Sequence, residues 1–542
     1  MNAGLVWRVL RAEGAAGVAD RLRDRLAEAR RRRSFRPAAA APPGFRAAVL
    51  NLAAAAPAPR LGGVQAQLLW RLEAEAALRP VALLYPEPAA AGGGHRLELQ
   101  DGTMRRALYL PPATGGARPA GAGPPRHVGG LAPAAAASPG PEAREPLPAM
   151  ALDDPGLERA VRWAAAQCGA AALAVEGLAG MPLASLLRLS RAGTALVLAV
   201  HDFAAFCPRP HLLEAAAPPP ARTPPSFCHY SRDAERCARC LGRSAPRLEP
   251  GYQEGRREVA RRLLASAAAV VYPSSFLARA HGELFAGAGG AAARVIAPAG
   301  SCARGVPGSS LPRSGSPAAA WPRSAPPASG PPTLRAPRSP RHIAWVGAVQ
   351  PHKGALVFEA AVRRLAAAGR HPRLSAYGGG DPEILARWRR LPGLRVRGYY
   401  RAGSLPALLG RDRVDLALLL SVVPESYGLV LDECAAAGVP VVAFDLGAPA
   451  ERIAAAGSGL LLAAPLADDP AAGGSALATL IADLLDGRLD APPPAAALPA
   501  PAITPSRPPG LAVAATAAAA ASAWGRLYGE LGLLTDQKGY LR

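Results

Sequence analysis

The sequence predicts an α/β protein built from two Rossmann-like domains, each with a parallel sheet that faces a central cleft. Its 542 residues are too many for one ordinary hydrophobic core. Strand-like apolar segments alternate with helices of about ten or more residues in two separate series, which is typical of parallel sheets covered on both faces. A stretch rich in Pro, Ser and Arg at residues 303–340 separates the two series and has the composition of an interdomain linker.

The first series occupies residues 45–302 and follows an Arg- and Ala-rich extension at residues 1–44. It opens with a strand, a glycine turn, a helix and a second strand, the pattern that begins a β-α-β unit. Residues 111–150 are dominated by Pro, Gly and Ala, so we predict a disordered insertion there. The predicted strands of this series lie at residues 47–52, 81–85, 171–175, 195–200, 269–272 and 294–297, with a helix at 157–166.

The second series occupies residues 341–467. A helix is predicted at about residues 355–368, between the first two strands. The predicted strands lie at residues 342–346, 373–377, 394–397, 415–420, 439–444 and 459–462. Residues 468–542 are predicted to be an Ala- and Pro-rich tail that ends in a helix at residues 522–533.

The charge balance does not by itself identify a partner. The net charge of +22 would suit nucleic acid, an anionic membrane or an acidic substrate. However, Lys353 and Lys538 are the only lysines among 62 basic residues, which favours a coding bias towards arginine. The chain lacks the interleaved aromatic and basic residues of single-strand binders, so we expect no nucleic acid partner. Peripheral association with an anionic membrane through residues 30–33 remains an alternative.

The sequence also predicts where the protein works. Seven cysteines in a chain of this length do not make a disulfide scaffold, and no signal-peptide pattern is present at the N-terminus. No run of about 18 strongly apolar residues suggests a membrane span. We therefore expect a cytoplasmic protein, with association at the inner face of the membrane as the alternative.

Residues 424–433, which follow the strand at 415–420, form the most informative stretch of the sequence. Glu425 falls in the loop before a helix, and Glu433 lies eight residues further on, at roughly 12 Å of helical rise. One carboxylate could accept hydrogen bonds from sugar hydroxyls and the other from ribose hydroxyls. The alternative is that both are ordinary acids at a helix start and on a surface.

Residues 424–443 resemble the signature of the group 1 retaining glycosyltransferases, which have the GT-B fold. Residues 346–354 are similar to the same family's element of strand, loop, lysine and glycine. The resemblance implies that Glu425 binds the sugar and Glu433 the ribose of a nucleoside diphosphate sugar, and that no metal or other cofactor is required for catalysis. The resemblance further implies that the donor contacts Gly347 and the neighbouring motif residues Ser426, Tyr427 and Gly428.

The residue type and position of Lys353 independently suggest a phosphate contact. In a chain that uses arginine almost everywhere, a lysine after a strand and at a helix start suggests a compact ammonium group for the donor phosphates. A solvated lysine is the alternative. Many family members have arginine where this chain has Ala348. Tyr399 follows the strand at 394–397 in a loop that resembles the one on which the family rests the nucleotide base.

The first domain supplies further candidates. Gly62 and Gly63 stand between a strand and a helix, where backbone N–H groups could face the donor phosphate or the acceptor, unless they only form a tight turn. His201 ends the strand at 195–200 on the side of the cleft. A lone histidine is usually structural, but the family places one in such a position to contact the reacting sugar. Residues 273–277 resemble the family's closing motif for this domain.

Four cysteines lie in the segment at residues 207–240. Cys207, Cys228, Cys237 and Cys240 could ligate a structural zinc ion, because C-x-x-C is a common half-site. Free buried thiols and a disulfide are the alternatives. A similar cysteine-containing segment occurs in some bacterial members of the family.

The resemblance thus predicts a hexosyltransferase-like enzyme that transfers a sugar, with retention of configuration, to a glycan, a lipid-linked or another acceptor. The acceptor would bind mainly to the first domain, and polysaccharide biosynthesis is the expectation at the level of the family. A non-catalytic sugar-nucleotide-binding protein is one alternative, suggested by Ala348 and the alanine-rich first half. A nucleotide-sugar epimerase or a phosphorylase on the same architecture is another.

Overall fold

The computed structural model describes twelve ranges of the chain and a few residues of an N-terminal helix. These are residues 28–55, 62–87, 94–112, 151–214, 226–243, 248, 251–286, 293–298, 340–400, 403–457, 459–489 and 517–534, with 18, 19, 22, 25 and 26. They form two α/β units. The first unit consists of the described residues up to 298 together with 517–534, and the second unit consists of the described residues from 340 to 489. The two-domain α/β architecture predicted from the sequence is confirmed.

The described part of the first unit contains a nine-stranded sheet with the order β1-β5-β4-β3-β2-β6-β7-β8-β9. Its strands are β1 (Arg36–Pro37), β2 (Val49–Leu52), β3 (Val81–Pro86), β4 (His95–Asp101), β5 (Met104–Leu110), β6 (Ala172–Glu176), β7 (Ala195–Ala199), β8 (Ala269–Tyr272) and β9 (Ala293–Val295). From β3 through β2 to β9 every neighbouring pair is parallel. β4 runs antiparallel to both β3 and β5, so this sheet is mixed rather than wholly parallel as predicted.

Helices connect and cover these strands. They are α1 (Gly62–Glu75), α2 (Pro155–Cys168), α3 (Leu183–Arg191), α4 (Ala234–Gly242), α5 (Tyr252–Ser266) and α6 (Ser275–Leu284). Local signals explain two of the starts. Asp154 accepts the Leu157 N–H at the beginning of α2, and Ser274 accepts the Leu277 N–H at the beginning of α6, so each caps its helix.

The second unit contains a parallel sheet with the order β12-β11-β10-β13-β14-β15 across the part that the structure describes. Its strands are β10 (His342–Val346), β11 (Arg373–Tyr377), β12 (Leu394–Gly398), β13 (Leu416–Leu419), β14 (Val441–Phe444) and β15 (Gly459–Leu462). Its helices are α7 (Ala355–Ala367), α8 (Pro382–Trp388), α9 (Leu405–Asp412), α10 (Leu429–Ala436), α11 (Gly447–Ala456) and α12 (Pro470–Leu485). The order reverses at β10 and β13, which makes the loops after these two adjacent strands the expected place for a ligand.

Helix α12 extends the second unit beyond residue 467, where the sequence suggested that the tail begins. It packs closely on α7, because a Cβ at Gly474 would lie 2.5 Å from the Cβ of Ala360. Such contact between two helices requires glycine. The apolar residues Leu477 and Ile481 are fully buried in the same core as Val357 and Phe358.

The last described helix, α13 (Ala517–Glu530), returns to the first unit. Trp524 and Tyr528 of α13 are buried together with residues of β7 and β8. The Arg71 guanidinium of α1 lies 4.1 Å from the Trp524 ring centroid, a cation–π contact. The first unit is therefore assembled from two separate parts of the chain.

Two N-terminal arginines contact β4 and the residue that follows β3. Arg31 pairs with Glu98 at 2.6 Å, and Arg32 pairs with Glu87. Two of the four arginines considered for a membrane surface are thus engaged within the protein. Among the described residues, no helix has both the length and the apolar character needed to cross a bilayer. The predicted insertion lies outside the described residues from 113 to 150, as does the predicted linker from 303 to 339.

Candidate functional site

The loop at residues 424–428 joins β13 to α10 and carries Glu425. It packs against the start of α11, where the Ala448 N–H donates to the Glu425 carbonyl oxygen at 2.9 Å. Gly447 permits this approach, since its φ is +74° and a Cβ there would lie 2.7 Å from the Glu425 backbone nitrogen. A side chain at position 447 would therefore displace Glu425 from the end of β13.

Lys353 lies beyond the end of β10, in a short 3-10 turn at Pro351–Lys353. The turn packs against the chain that leaves β13, because the Val422 N–H donates to the His352 carbonyl oxygen at 3.0 Å. Gly354 ends the turn with φ +82°, and a Cβ there would lie 1.8 Å from the Leu420 carbonyl oxygen. Only glycine fits this position, which fixes Lys353 beside the loop that carries Glu425.

Lys353 and Glu425 form an ion pair across the ends of these two adjacent strands. The distance between Nζ and Oε1 is 2.9 Å, and the two side chains retain 27% and 13% of their exposure. The pair is therefore partly open to solvent and not enclosed in the core. The sequence predicted each residue separately as a donor contact, and the structure brings the two together.

Arg452 of α11 holds the other end of the loop. Its guanidinium donates to the carbonyl oxygens of Tyr427 and Gly428 at 3.2 and 3.3 Å and forms a buried ion pair with Asp432. It also lies 4.1 Å from the centroid of the Tyr427 ring, which is 4% exposed. The Tyr427 ring, predicted to contact the donor, is thus enclosed by protein, and only its backbone is left to meet a ligand. Gly428 has φ +79°, which turns the chain into α10.

The first unit meets the same loop through Ser274. The Ser274 hydroxyl donates to the Ser426 carbonyl oxygen at 2.6 Å while it caps α6. Ser274 belongs to the segment predicted from the sequence to close the first domain. The backbone of Ser426 therefore contacts the first unit, and the loop with Glu425 lies at the boundary between the two units.

Two histidines form another contact between the units. The ring of His211, in the segment after β7, stacks on that of His352 with 4.9 Å between centroids and 12° between planes. Burial and the Lys353 ammonium lower the pKa of His211 to about 4, while the Glu425 carboxylate acts in the opposite direction. Burial, His211 and Lys353 also hold the pKa of His352 well below its usual value. Both rings are neutral at physiological pH.

His201 lies beyond the end of β7, as predicted. Burial and the neighbouring Arg71 guanidinium lower the pKa of His201 to about 4, so this imidazole is also neutral. Arg71 is buried, where it donates to Asn51 at 3.1 Å and forms an ion pair with Glu176. A second carboxylate, Glu75, lies 3.2 Å from the Arg71 guanidinium. His201 thus stands next to a buried charged cluster that spans β2, α1 and β6.

Glu433 lies in α10 and is 5% exposed. Its Oε1 accepts the Gly403 N–H at 3.1 Å, which places this carboxylate at the segment that follows β12. Burial and Glu433 raise the pKa of Tyr400 well above its usual value. Tyr399, predicted to support the nucleotide base, packs against Gly379, where a Cβ would lie 2.0 Å from the tyrosine ring. The predicted ribose and base contacts therefore both lie near the loops after β11 and β12.

The glycines predicted to contact the donor lie after a strand in the second unit and at the start of a helix in the first. Gly347, directly after β10, has φ +122°, and a Cβ at Gly378 would lie 1.8 Å from its carbonyl oxygen. Gly62 and Gly63 are the first residues of α1. Whether the backbone at these positions meets a ligand stays a prediction.

The four cysteines line one small cavity in the first unit. No disulfide joins any of these four cysteines. Burial raises the pKa of Cys207 to about 12, and the Arg257 guanidinium donates to the Cys237 sulfur at 3.5 Å. Zn²⁺ binding would require these thiols to lose their protons. Among the described residues no group of three or more His, Cys, Asp and Glu side chains could hold a metal ion, so the structure does not support the predicted zinc site.

Three further residues shape the site and were not predicted from the sequence, namely Arg452, His211 and Arg71. For Arg71 a signal was present, since an arginine in the apolar stretch Leu68–Leu72 of α1 suggests a buried charge with partners. Nothing in the local sequence marks Arg452 or His211, because their partners lie on other elements.

Residues 340–483 match the sequence model of the family described as Glycosyl transferases group 1. This range coincides with the second unit and contains Gly347, Lys353, Glu425 and Glu433. The second unit is therefore a glycosyl transferases group 1 domain. No curated protein matches the chain by sequence.

Several solved structures are similar to parts of the chain that include more than half of its residues. Sucrose-phosphate synthase from Thermosynechococcus elongatus shares 16% identity and a TM-score of 0.46, with 80% of this chain and 90% of that chain covered. The Anabaena protein Alr3699/HepE in complex with UDP-glucose shares 13% identity and a TM-score of 0.39, with 81% and 97% covered. The pneumococcal O-GlcNAc transferase GtfA in complex with UDP and GlcNAc shares 12% identity and a TM-score of 0.33, with 58% and 50% covered. Similarities of this size assign no ligand and no activity to this chain.

Proposed function

We propose that this chain is a glycosyltransferase that moves a sugar from a nucleoside diphosphate sugar to an acceptor. The observation that carries the proposal is the Lys353–Glu425 ion pair. It lies in a glycosyl transferases group 1 domain, beyond the ends of two adjacent parallel strands, where the first unit approaches. Ligands of open α/β sheets bind at such places.

When the donor binds, its diphosphate replaces Glu425 as the partner of Lys353, and its sugar hydroxyls replace Lys353 as the partner of Glu425. Its diphosphate binds the Lys353 ammonium and the first N–H groups of α10, which carry the positive end of the helix dipole. The sugar hydroxyls donate to the Glu425 carboxylate, which gains charge-assisted hydrogen bonds as it leaves Lys353. Both groups are partly exposed, so neither has to be drawn out of the core.

The remaining donor contacts follow the predicted assignments. The ribose hydroxyls donate to Glu433, and the base lies against Tyr399. Backbone groups of Gly347, Ser426 and Gly428 line the path between the base and the sugar, with Gly62 and Gly63 on the side of the first unit.

The transfer proceeds with retention of configuration at the face from which the diphosphate departs. His201, which is neutral, contacts the reacting sugar. The leaving diphosphate accepts the proton of the acceptor hydroxyl, while Lys353 and the start of α10 stabilise its developing charge. The acceptor, a glycan or a lipid-linked sugar, binds mainly to the first unit.

A thermal-shift screen against UDP-, GDP- and ADP-sugars tests donor binding, because only a ligand that prefers the folded state raises the melting temperature. Product analysis with the donor that binds tests transfer. We expect Glu425→Gln to lower the turnover rate by about 100-fold and Lys353→Ala to weaken diphosphate binding by at least about 10-fold.

Glu451→Gln is the matched control for Glu425→Gln. Glu451 is also an acid of the second unit with a basic partner, Arg279 of the first unit at 3.1 Å, but it lies outside the loop at residues 424–428. Its substitution should leave turnover unchanged. Donor binding by the wild type without any turnover would favour the non-catalytic sugar-nucleotide-binding protein. An isomerised donor as the product would favour the epimerase.

A further inference from the structure

The segment after β7 adopts a backbone conformation that calls for an explanation. Leu212 has φ +56°, in the left-handed region that costs a non-glycine residue about 1 kcal/mol or more. Hydrogen bonds on both sides hold it there. The Leu212 N–H donates to the Arg209 carbonyl oxygen at 2.9 Å, and its own carbonyl oxygen accepts the Cys228 N–H at 2.9 Å. The Leu212 side chain is 1% exposed, so it anchors the segment in the core.

The residue before this anchor is His211, whose ring stacks on a residue of the second unit. Its ring lies on His352, and the next residue of that turn is Lys353, the partner of Glu425. Among the described residues, the ring nitrogens of His211 have no hydrogen-bond partner. A neutral imidazole offers one N–H donor and one acceptor nitrogen. The segment therefore presents an unused donor on the ring that stacks on His352, one residue before Lys353.

We propose that His211 is a donor-site residue supplied by the first unit, and that its ring N–H bonds to the diphosphate of the bound nucleotide sugar. The inference rests on the proposed function. In the transfer, the bond between the anomeric carbon and the diphosphate oxygen breaks and its electron pair stays on that oxygen. The acceptor hydroxyl oxygen bonds to the anomeric carbon, and its proton passes to the diphosphate. His211 gives up no proton, since its hydrogen bond only strengthens as negative charge develops.

A purely structural role would depend on a different property of the His211 side chain. If the ring served only to hold the units together, its flat aromatic surface against His352 would be what matters. Phenylalanine keeps that surface and removes the N–H, whereas glutamine keeps an N–H donor and removes the ring. The two substitutions therefore separate the two roles.

The test compares His211→Phe and His211→Gln with the wild type, in the full chain, with the nucleotide sugar identified in the thermal-shift screen. We expect His211→Phe to lower kcat by about 10- to 100-fold with little change in KM for the acceptor, the range for a lost hydrogen bond to a charged group. His211→Gln should recover a substantial part of that loss. The matched control is His229→Phe. His229 also belongs to the first unit and contacts the second, through Asp468 at 3.1 Å, but away from the loop at residues 424–428. It should keep the kcat of the wild type.

The opposite order of activities would overturn the inference. Wild-type kcat in His211→Phe together with a loss in His211→Gln would show that the ring stack is what matters. The melting temperature of each variant, measured alongside, shows that a lost rate is not lost folding. The proposed function is tested separately by the wild type: if the wild type neither binds nor turns over any nucleotide sugar, the proposed function fails, whereas activity that is unaffected in His211→Phe contradicts this inference alone.

Discussion

Gly354 has no side chain, yet it decides where the Lys353 ammonium group lies. Its backbone passes so close to Leu420 that a Cβ would lie 1.8 Å from the carbonyl oxygen of that residue, and its φ of +82° disfavours any other residue. The contact links the turn after β10 to the chain after β13. The geometry of the ion pair is therefore a property of a glycine as much as of the two charged residues.

The substitution Gly354→Ala tests this dependence. We expect the free energy of unfolding to fall by about 3 kcal/mol, from the strained φ and from the clash together, with a loss of donor binding. Urea denaturation and the thermal shift with donor measure the two effects. Gly369→Ala is the control, because Gly369 has φ +69° with no atom within 4 Å of its Cβ position. Equal losses in the two variants would contradict the role given to the Leu420 contact.

At the scale of elements, helices α10 and α11 are joined by a buried charge pair. Arg452 of α11 pairs with Asp432 of α10 and donates to two carbonyl oxygens of the loop that carries Glu425. The side chains retain only 6% and 3% of their exposure, so removal of the arginine leaves an uncompensated buried carboxylate. The loop is thus held by the relation between two helices and not by its own sequence.

Arg452→Met should lower the free energy of unfolding by about 3 kcal/mol and weaken donor binding, because the loop loses its clamp. Chemical denaturation and the donor affinity of the folded variant provide the measurements. Arg488→Met serves as the comparison, since Arg488 is 59% exposed and pairs with acids at the surface. It should cost no more than about 1 kcal/mol. Unchanged donor affinity in Arg452→Met would show that the loop at residues 424–428 keeps its conformation without Arg452.

At the scale of the whole molecule, several buried histidines should make stability depend on pH. Burial lowers the pKa of His201, His211 and His281 to about 4. Between this value and the ordinary value of about 6.5, the unfolded chain binds these protons and the folded chain does not. Stability therefore falls as the pH falls through that window. Asp202, whose pKa burial raises to about 6, acts in the opposite direction.

His281→Phe isolates one of these protons. His281 is 2% exposed and its ring stacks on Phe203 at 5.5 Å, so phenylalanine suits the site in shape and keeps the stack. Between pH 6 and pH 5, the loss of unfolding free energy per pH unit should be smaller than in the wild type by about 1 kcal/mol. Urea titrations at the two pH values measure it. Identical slopes for both proteins would contradict the assignment of a neutral, buried His281.

Local sequence patterns predicted most of the sheets. β10, β11 and β15 have the predicted bounds, because short apolar strands in a parallel sheet are delimited by turns and helices that are visible in the sequence. The hairpin β4–β5 was missed. Its strands carry charged residues such as Arg96 and Glu98, which find partners on the N-terminal helix and on Tyr85, and no pattern within the hairpin shows these partners.

In the site, too, single residues were predictable from the local sequence, but their contacts with other elements were not. Lys353 and Glu425 could each be identified from residue type and position after a strand, but they are 72 residues apart in the chain. Their pairing follows from the adjacency of β10 and β13, which is a property of the sheet order. The contacts of His211 with His352, and of Ser274 with Ser426, depend further on how the two units meet, and that information is spread over both.

Helix α13 has a consequence for the order in which the polypeptide is completed during synthesis. Trp524 lies over Arg71, and Tyr528 is buried beside β7 and β8, so the sheet of the first unit is covered by a segment that is translated after the whole second unit. The second unit is contiguous from residue 340 to residue 489 and can mature before that segment exists. The second unit of a nascent chain would thus fold before the first unit is complete, and the sheet of the first unit would keep an uncovered apolar face until α13 has been translated.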